Sequence, residues 1–397
     1  MVNYPDDWKI MKLKDIAEYR RGSFPQPYDN PLWYGGINSM PFVQVADISD
    51  DMKLCEKTKT RISKMAMPKS VFVEKGTLVC SIQGSIGRAA ITQYNCYIDR
   101  TIAIFKKFKI DINQKYFMYQ LKRKFDIEKE NAKGSTIKTI TIAEFGEFSI
   151  GIPILKEQQA IADTLSAFDE HIDNLNKLIE KKKAIRNGVL EELMSGKIRV
   201  GAFKEEWEEA ELSNICKIYD GTHQTPKYTL HGIRFVSVED IMNLYDTNKF
   251  ISYLAYNTDF KAYPEKGDIL MTRIGDIGTP CVVKNNEPLA YYVSLALFKN
   301  ITVNSEFLKY YIMSKNFKKE LDDRTLHHAT PKKINKCEIG KCKVKFPKNN
   351  KEQQAIAEVL TAMDEEIISL EKEVDKIKQI NEGALNELLT GQVRLSV

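Results

Sequence analysis

The chain has 397 residues, of which 43% are hydrophobic and 28% are charged, and its formal net charge is +5. This length predicts more than one packed core, most simply two globular domains with connecting elements. The sequence contains neither an apolar run long enough to span a membrane nor a signal peptide, so we expect a cytoplasmic protein. Seven scattered cysteines without a Cys-x-x-Cys pair indicate free thiols and argue against a disulfide framework or a structural zinc site.

Positive charge is concentrated in two segments of the chain. Residues 1–155 hold 24 Lys and Arg against 17 Asp and Glu, and residues 201–350 hold 22 against 19. Residues 156–200 are balanced, and residues 351–397 are acidic. A basic excess is typical of a nucleic-acid-binding surface, although the excess in the second segment alone would be unremarkable.

The first segment, residues 1–152, has the pattern of a mixed α/β domain. Short β-branched runs such as Phe42–Ile48 and Leu78–Val79 are bounded by turn residues, which predicts a twisted sheet with tight turns. Asn113–Phe125, rich in Tyr, Lys and Leu, predicts a short helix.

A long helix is predicted within residues 153–200. Its apolar residues alternate spacings of four and three and therefore share one stripe: Ile161, Leu165, Phe168, Ile172, Leu175 and Ile179. Pro153 precedes the helix and Gly196 follows it. A stripe of this kind is typical of a coiled-coil seam, and about forty residues would span roughly 60 Å. Gly188 interrupts the pattern and predicts a bend or a close helix contact.

The same plan recurs in residues 201–346 and 347–397. The block Lys156–Val200 returns as Lys351–Leu395 at a constant offset of 195, with roughly half of the aligned positions identical. The second stripe consists of Ile356, Leu360, Met363, Ile367, Leu370, Val374 and Ile377. Gly383 matches Gly188, and Lys182 weakens the first stripe at the position of Ile377.

The two variable segments are distant copies of each other. Trp8 corresponds to Trp207, and Phe42–Ile48 corresponds to Phe235–Ile241. Asn304–Phe317 predicts the counterpart of the short helix in the first segment. The loops between the matched strands differ in length and chemistry.

Two stripes of equal length are most simply buried against each other. We therefore predict an α+β fold in which two α/β domains with twisted β-sheets are joined by two long helices. The helices would form an antiparallel coiled coil within an internal pseudo-two-fold repeat. In the alternative, each helix packs only on its own domain, which would leave most of its stripe uncovered.

Motifs for catalysis are missing or incomplete. Gly196-Lys197 and Gly340-Lys341 are not followed by the Ser or Thr of a phosphate-binding loop, and Gly84-x-x-Gly87 is read as a turn. Asn30-Pro31-Leu32-Trp33 lacks the second proline of an amino-methyltransferase tetrapeptide, and Asp51-Met52-Lys53 lacks a partner acid. We therefore expect no catalytic centre, metal or cofactor in this chain.

Glycine turns carry cations beside small hydrogen-bonding side chains at matching places in both segments. In the first segment these residues are Arg20, Arg21, Ser23, Gln83, Ser85, Arg88, Lys133, Ser135, Thr136 and Lys138. In the second they are Thr222, His223, Gln224, Thr225, Lys227, Arg273, Asp276, His327, His328, Thr330, Lys332 and Lys333. Lys and Arg neutralise phosphates, and Gln, Arg, Ser and Thr can read base edges. The pattern predicts a surface for double-stranded DNA, although solvated basic loops are common.

The chain resembles the specificity subunit of a type I restriction-modification system along essentially its whole length. The resemblance rests on Pro153 with Glu157–Ala162, on Leu193–Arg199 at the end of the helix, and on the opening at Trp8. The second copy carries Pro347 with Glu352–Ala357, Leu388–Arg394 and Trp207.

The resemblance implies that residues 1–152 and 201–346 are target recognition domains and that residues 153–200 and 347–397 are conserved helices. Each domain would read one half of a bipartite asymmetric DNA site. The helices would set the unread spacer and dock two methyltransferase subunits, which use S-adenosylmethionine to methylate adenine. Two restriction subunits, which use ATP and Mg, would complete the complex. No membrane partner is implied.

Three alternatives remain open from the sequence. A methylation-only complex would lack the restriction subunits. A coiled-coil scaffold would not bind DNA, and a single-chain modifying enzyme would itself transfer methyl groups or cleave DNA.

Overall fold

The structure, a computed structural model, describes residues 4–131 and 139–396. The chain divides into two compact units, one formed by residues 1–176 with 372–397 and the other by residues 177–371. Each unit contains one globular domain and a part of each long helix. The first unit is therefore built from two separate stretches of chain, whereas the second is continuous.

The first unit has the following elements in chain order: β1 (Lys9–Lys12), α1 (Leu13–Ile16), β2 (Ala17–Arg21), β3 (Met40–Val43), β4 (Thr60–Ile62), β5 (Val71–Val73), β6 (Leu78–Ser81), β7 (Ala89–Ile91), β8 (Cys96–Ile98), β9 (Ile102–Phe108), α2 (Gln114–Asn131), α3 (Ile142–Gly146), β10 (Ser149–Ile152) and the beginning of α4 (Leu155–Met194). An antiparallel sheet has the order β2-β9-β6-β7. A second sheet, β4-β3-β8-β5, contains one parallel pair, β3 with β8, and β1 pairs with β10.

The second unit contains the end of α4 and repeats this order: β11 (Trp207–Glu211), α5 (Leu212–Ile215), β12 (Lys217–Asp220), β13 (Tyr228–Thr229), β14 (Ile233–Val236), β15 (Phe250–Ile251), α6 (Tyr253–Asp259), β16 (Ile269–Ile274), β17 (Asp276–Val282), β18 (Leu289–Tyr291), β19 (Leu295–Lys299), α7 (Ser305–Met313), α8 (Lys315–Asp323), α9 (Lys336–Gly340), β20 (Lys343–Pro347) and the beginning of α10 (Asn350–Thr390). Its sheets have the orders β12-β19-β16-β17, β13-β15-β14-β18 and β11-β20. The parallel pair recurs as β14 with β18, so the repeat seen in the sequence is a repeat of topology.

The two domains differ at their edges. In the first, the edge strand β5 pairs with β8; in the second, the edge strand β13 pairs with β15 on the other side of the sheet. The helix predicted at Asn113–Phe125 is present as α2, and its counterpart is divided into α7 and α8 at Ser314. The Ser314 amide closes α7 on the Tyr311 carbonyl, and its hydroxyl caps α8 by accepting from the Phe317 amide.

The predicted stripes are buried or half-buried along both long helices, which confirms the coiled-coil prediction. In the first unit, Ile161 and Leu165 of α4 share a core with Leu388 and Leu389 of α10. In the second unit, the roles are exchanged: Leu190 and Leu193 of α4 share a core with Ile356, Ala357 and Leu360 of α10. The helices therefore run antiparallel in each unit.

An ion pair closes each unit where one long helix begins and the other ends. In the first, the guanidinium of Arg394 donates to both oxygens of the buried Glu157 carboxylate and to Asp7 at 2.8 Å. In the second, Arg199 donates to the buried Glu352 at 2.6 Å. These contacts explain why the Glu near the start and the Arg beyond the end of the helix recur together.

The glutamine after each of these acids has a structural role as well. The Gln158 side chain donates to the Pro153 carbonyl at 2.9 Å and accepts from the Asn113 amide at 2.9 Å. Gln353 makes the same two contacts, with Pro347 at 2.8 Å and with Asn304 at 2.7 Å. Each glutamine thus ties the start of a long helix to the start of the helix that follows the sheet.

Neither Gly188 nor Gly383 breaks its helix, because α4 and α10 continue without interruption through these positions. A Cβ added at either position would have no described atom within 4 Å, so the expectation of a close helix contact is wrong for the described part of the chain. Lys182, the weak position of the first stripe, forms an ion pair with Glu366 at 2.6 Å.

The cysteines have no disulfide partners among the described residues. Burial raises the pKa of the Cys96, Cys216 and Cys342 thiols to about 12. In the described ranges, no helix is long and apolar enough to cross a membrane.

Candidate nucleic-acid interface

The described ends of three predicted loops of the first domain lie together. Loop 20–27 leaves from the end of β2, loop 83–88 follows β6, and loop 133–138 ends just before Thr139. Gln83 forms an isolated β-bridge with Thr139, and the Ile140 amide donates to the Ile82 carbonyl at 2.8 Å. The Ile140 carbonyl accepts from Arg21 at 3.0 Å. We call these five residues the first loop-stem cluster.

The second domain has an equivalent cluster, formed by Asp220, Arg273, Ile274, Lys333 and Ile334. Ile274 bridges Lys333, and the Ile334 amide donates to the Arg273 carbonyl at 3.0 Å. The Arg273 side chain donates to the Ile334 carbonyl at 3.0 Å and to the Asp220 carboxylate at 2.7 Å. Loops 222–227, 273–276 and 327–333 therefore start or end at one cluster.

Glycine opens the first loop of each domain because the backbone passes very close to a neighbouring strand. A Cβ at Gly22 would clash with the carbonyl oxygen of Ile98, and one at Gly221 would clash with that of Tyr291. Only glycine avoids a clash at so close an approach, which is why Gly22 stands near the start of loop 20–27 and Gly221 immediately before loop 222–227.

The first domain places its predicted residues in different surroundings. Arg20 and Ser85 are exposed, and Gln83 is half-buried. The Ser23 hydroxyl donates to the Lys69 carbonyl at 3.0 Å. The remaining predictions, at Lys133, Ser135, Thr136 and Lys138, lie outside the described residues.

In the second domain most of the predicted residues are accessible. The exposed ones are His223, Gln224, Thr225, Lys227, Asp276, His327, His328, Thr330, Lys332 and Lys333. Among the residues that the structure describes, no ion-pair partner faces Lys227, Lys332 or Lys333. Thr222 is half-buried, and its hydroxyl accepts from the Gln224 amide at 3.3 Å, which shapes the loop locally.

The side chains of two exposed residues in the second domain already make internal hydrogen bonds. The Asp276 carboxylate accepts from the Thr279 hydroxyl at 2.6 Å and from the Thr272 hydroxyl at 3.0 Å. The His327 ring lies 3.0 Å from the Asp322 carbonyl. Both interactions hold loop geometry and leave less of each side chain free for a ligand.

Three arginines predicted to contact DNA make hydrogen bonds or ion pairs with other groups of the protein. Arg273 is 6% exposed and forms an ion pair with Asp220 at 2.7 Å. Arg21 donates a hydrogen bond to the Ile140 carbonyl at 3.0 Å. Arg88 donates to the Ile48 carbonyl at 3.0 Å and pairs with Asp50 at 3.1 Å. The structure therefore gives these arginines a supporting position rather than an open one.

Sequence reasoning missed Arg100, an exposed cation beside the first loop. Its guanidinium lies 5.6 Å from the ring centre of Tyr28, whose hydroxyl donates to Asp99 at 2.9 Å and accepts from Gln44 at 2.8 Å. Burial and the nearby Asp99 raise the pKa of Tyr28, so the hydroxyl stays protonated. Arg100 adjoins no glycine; its signal is a charge in the short turn between β8 and β9.

The described residues contain no group of three or more His, Cys, Asp or Glu side chains that could hold a metal ion. Most of the accessible predicted side chains are instead cations, hydroxyls and amides, with imidazoles in the second domain; Asp276 is the one exposed carboxylate among them. These groups suit an anionic, hydrogen-bonding ligand such as a nucleic acid.

The fold is that of a protein built from two copies of one loop-bearing domain, each followed by a long helix. The profile of the type I restriction modification DNA specificity domain matches the chain twice, at residues 5–184 and 204–382. The chain therefore belongs to the specificity subunits of type I restriction-modification systems.

Two relatives are themselves specificity subunits of type I restriction enzymes. The specificity subunit of the type I restriction enzyme MjaVIII from Methanocaldococcus jannaschii is 25% identical, over 99% of this chain and 95% of its own. The EcoBI specificity subunit from Escherichia coli is 19% identical, over 82% of this chain and 75% of its own.

Two solved structures share the fold. The S subunit of a type I restriction-modification system from M. genitalium matches with a TM-score of 0.59 at 20% identity, over 97% of this chain and 96% of its own. A chain solved in work on complex assembly and conformational transition of the type I system matches with a TM-score of 0.62 at 15% identity. That match covers 98% of this chain and all of the other.

Proposed function

We propose that this chain is the non-catalytic, DNA-reading subunit of its complex, and that each domain reads one half of a bipartite asymmetric site in double-stranded DNA. The observation that supports the proposal is that the described stems of three polar loops join in one loop-stem cluster in each domain. Base recognition needs several side chains presented together at one edge, and the two edges carry different side chains.

The roles of individual residues follow from their accessibility. Arg20, Arg100, Lys227, Lys332 and Lys333 contact phosphates, since they are exposed cations at the loop edges. Gln83, Ser85, His223, Gln224, Thr225, His328 and Thr330 read base edges, as do the polar residues of 133–138. Arg21, Arg88 and Arg273 support the loops from inside.

The long helices set the number of unread base pairs between the half-sites and dock two methyltransferase subunits. Those subunits use S-adenosylmethionine to methylate adenine, and two restriction subunits with ATP and Mg complete the nuclease. A complex without restriction subunits, which only methylates, is the second candidate. The repeated helix pair supports both versions equally, because it provides one equivalent surface in each half of the chain.

Single-molecule sequencing of native DNA tests the proposal. N6-methyladenine is scored in cells with the chain intact, with it deleted, and with residues 83–88 replaced by those of another specificity subunit. We expect deletion to remove one split motif and the replacement to change one half of that motif. A motif that persists after deletion, or two half-sites that change together, would contradict two independent reading domains.

A further inference from the structure

We propose that Arg21 and Arg273 are positioning residues for the DNA-reading loops, and that the two domains place this arginine on different strands to hold the same carbonyl. The inference rests on the proposed function, because it concerns how the loops of that function are held. Neither arginine has to touch DNA for this role.

The backbone shows which positions are equivalent. Arg21 pairs with Ala103 in the first domain, and Asp220 pairs with Ala296 in the second. In turn, Cys80 pairs with Ala103 and Met271 with Ala296, so the strands β6 and β16 are also in the same register. Arg21 therefore corresponds to Asp220.

The same register continues two residues beyond Cys80 and Met271, at Ile82 and Arg273. The Ile82 amide donates to the Thr101 carbonyl at 3.0 Å, and the Arg273 amide donates to the Ser294 carbonyl at 2.9 Å. Ile82 therefore corresponds to Arg273. The first domain thus has Arg and Ile where the second has Asp and Arg.

The carbonyl that receives the arginine is nevertheless the same in both domains. The Ile140 amide donates to the Ile82 carbonyl and the Ile334 amide to the Arg273 carbonyl, and the carbonyls of Ile140 and Ile334 each accept from the arginine at 3.0 Å. Ile140 is 6% exposed and Ile334 is fully buried, so without the arginine a polar group would be left unpaired.

The chemical environment explains why the two arrangements differ. Arg273 lies at a buried position, and Asp220 compensates its charge. The Nζ of Lys336 lies 3.9 Å from the same carboxylate. Arg21 is only half-buried at the end of its strand, so solvent can compensate its charge without an acid. Each domain therefore provides a donor for the equivalent buried carbonyl. The first domain uses Arg21 with Ile82, and the second uses Arg273 with Asp220.

The consequence is a link between loop stems and base selection. Each arginine joins a strand that starts one loop to the segment that ends another. Base contacts require side chains held to within roughly 0.5 Å, so a loosened stem should weaken the choice between bases in that domain's half-site. It should leave the other half-site intact.

The test compares methylation motifs made by the complete complex in cells carrying the wild-type chain, Arg21→Met, or Lys107→Met. Lys107 is an exposed cation on β9 outside the loops and serves as the matched control. For Arg21→Met we expect the first domain's half-site to accept additional bases, with discrimination falling about tenfold. Hydrogen exchange at the Ile140 amide should become faster. The control should change neither.

A transplant variant separates positioning from a general loss of stability. Arg21→Asp combined with Ile82→Arg gives the first domain the pair found in the second and should restore the wild-type motif. A folded Arg21→Met chain with an unchanged motif would overturn the inference. So would a double variant that does not fold or keeps the relaxed motif.

Failure of the proposed function looks different in the same experiment. In that case the wild-type chain itself produces no split motif, and both ideas fall together. If the wild-type motif depends on the chain but Arg21→Met broadens both half-sites equally, only the positioning role is lost.

Discussion

Glu157 and Glu352 are buried acids whose charges are compensated by one arginine each. Arg394 is itself 41% exposed, so solvent screens part of its attraction to Glu157. We expect Arg394→Met to lower the free energy of unfolding of the first unit by about 1 to 2 kcal/mol, since the buried carboxylate loses its partner. Chemical denaturation followed by tryptophan fluorescence measures the change.

Arg199→Met is the matched variant, because it removes the equivalent bond to Glu352 in the second unit. Adding Glu157→Gln to Arg394→Met should recover part of the loss, as the uncompensated charge is then gone. If the double variant is as unstable as Arg394→Met, the charge of Glu157 is not what the arginine compensates.

Lys332 and Lys333 are the adjacent exposed cations of the third loop in the second domain. Replacing both with Gln should weaken binding to duplex DNA of any sequence and reduce the slope of log affinity against log salt by about two. Fluorescence anisotropy across a salt series gives this slope. Lys217→Gln with Lys345→Gln, at exposed strand positions, is the matched control. An equal effect of the control pair would indicate that binding is not localised to the loops.

At the scale of elements, each long helix contains a glycine with free space around it. Gly188→Ala and Gly383→Ala add a methyl group with space around it and should each raise the free energy of unfolding by about 1 kcal/mol. Gly196→Ala and Gly391→Ala are the opposite controls: both glycines have φ of 72°, so alanine should destabilise by about 1 kcal/mol at Gly196. The loss should be larger at Gly391, where an added Cβ would lie 2.5 Å from Pro5 Cγ. A destabilising Gly188→Ala would mean that the helix needs flexibility there.

The long helices were predictable because their signal is local. A three-four alternation determines one face of a helix, and Pro and Gly mark its ends, so the seam follows from residues close together in sequence. The different edge strands β5 and β13 were not predictable. Each is a run of two or three residues whose partner is chosen by the sheet beside it.

The loop edges were partly predictable for the same reason. Glycine turns indicated the loops, but not which side chains stay free. Arg273 was expected to contact DNA, yet Asp220 and Ile334, its partners, lie 53 and 61 residues away in sequence. Arg100 was missed because the hydrogen bond between Tyr28 and Asp99 brings its turn beside the first loop. These two residues are far apart in sequence and meet only in the folded chain.

At the scale of the whole molecule, the helix pair should control the spacer of the DNA motif. Deleting residues 174–180 together with 370–376 removes one heptad from each helix. This deletion keeps the stripes continuous and retains Arg186–Asp364 and Asp169–Asn381, pairs from the two units. We expect the number of unread base pairs to change while both half-sites stay the same, as read by methylation sequencing.

Deleting residues 174–180 alone is the informative control. The facing helix then keeps its original length, so the facing pairs of the two helices can no longer all form at once. That variant should lose methylation rather than shift the spacer. A paired deletion that alters the bases of a half-site would show that the helices take part in reading the sequence.

Because the first unit is formed by two separate stretches of chain, it cannot be completed until synthesis has reached the second stretch. Residues 177–371 leave the ribosome as one stretch, whereas the first unit waits for Arg394 to reach Asp7 and Glu157. At about 5 to 20 residues per second, that wait lasts on the order of ten to forty seconds. The unit whose synthesis starts first is therefore completed last, and a chain that stalls before residue 394 has an incomplete first unit and a complete second unit.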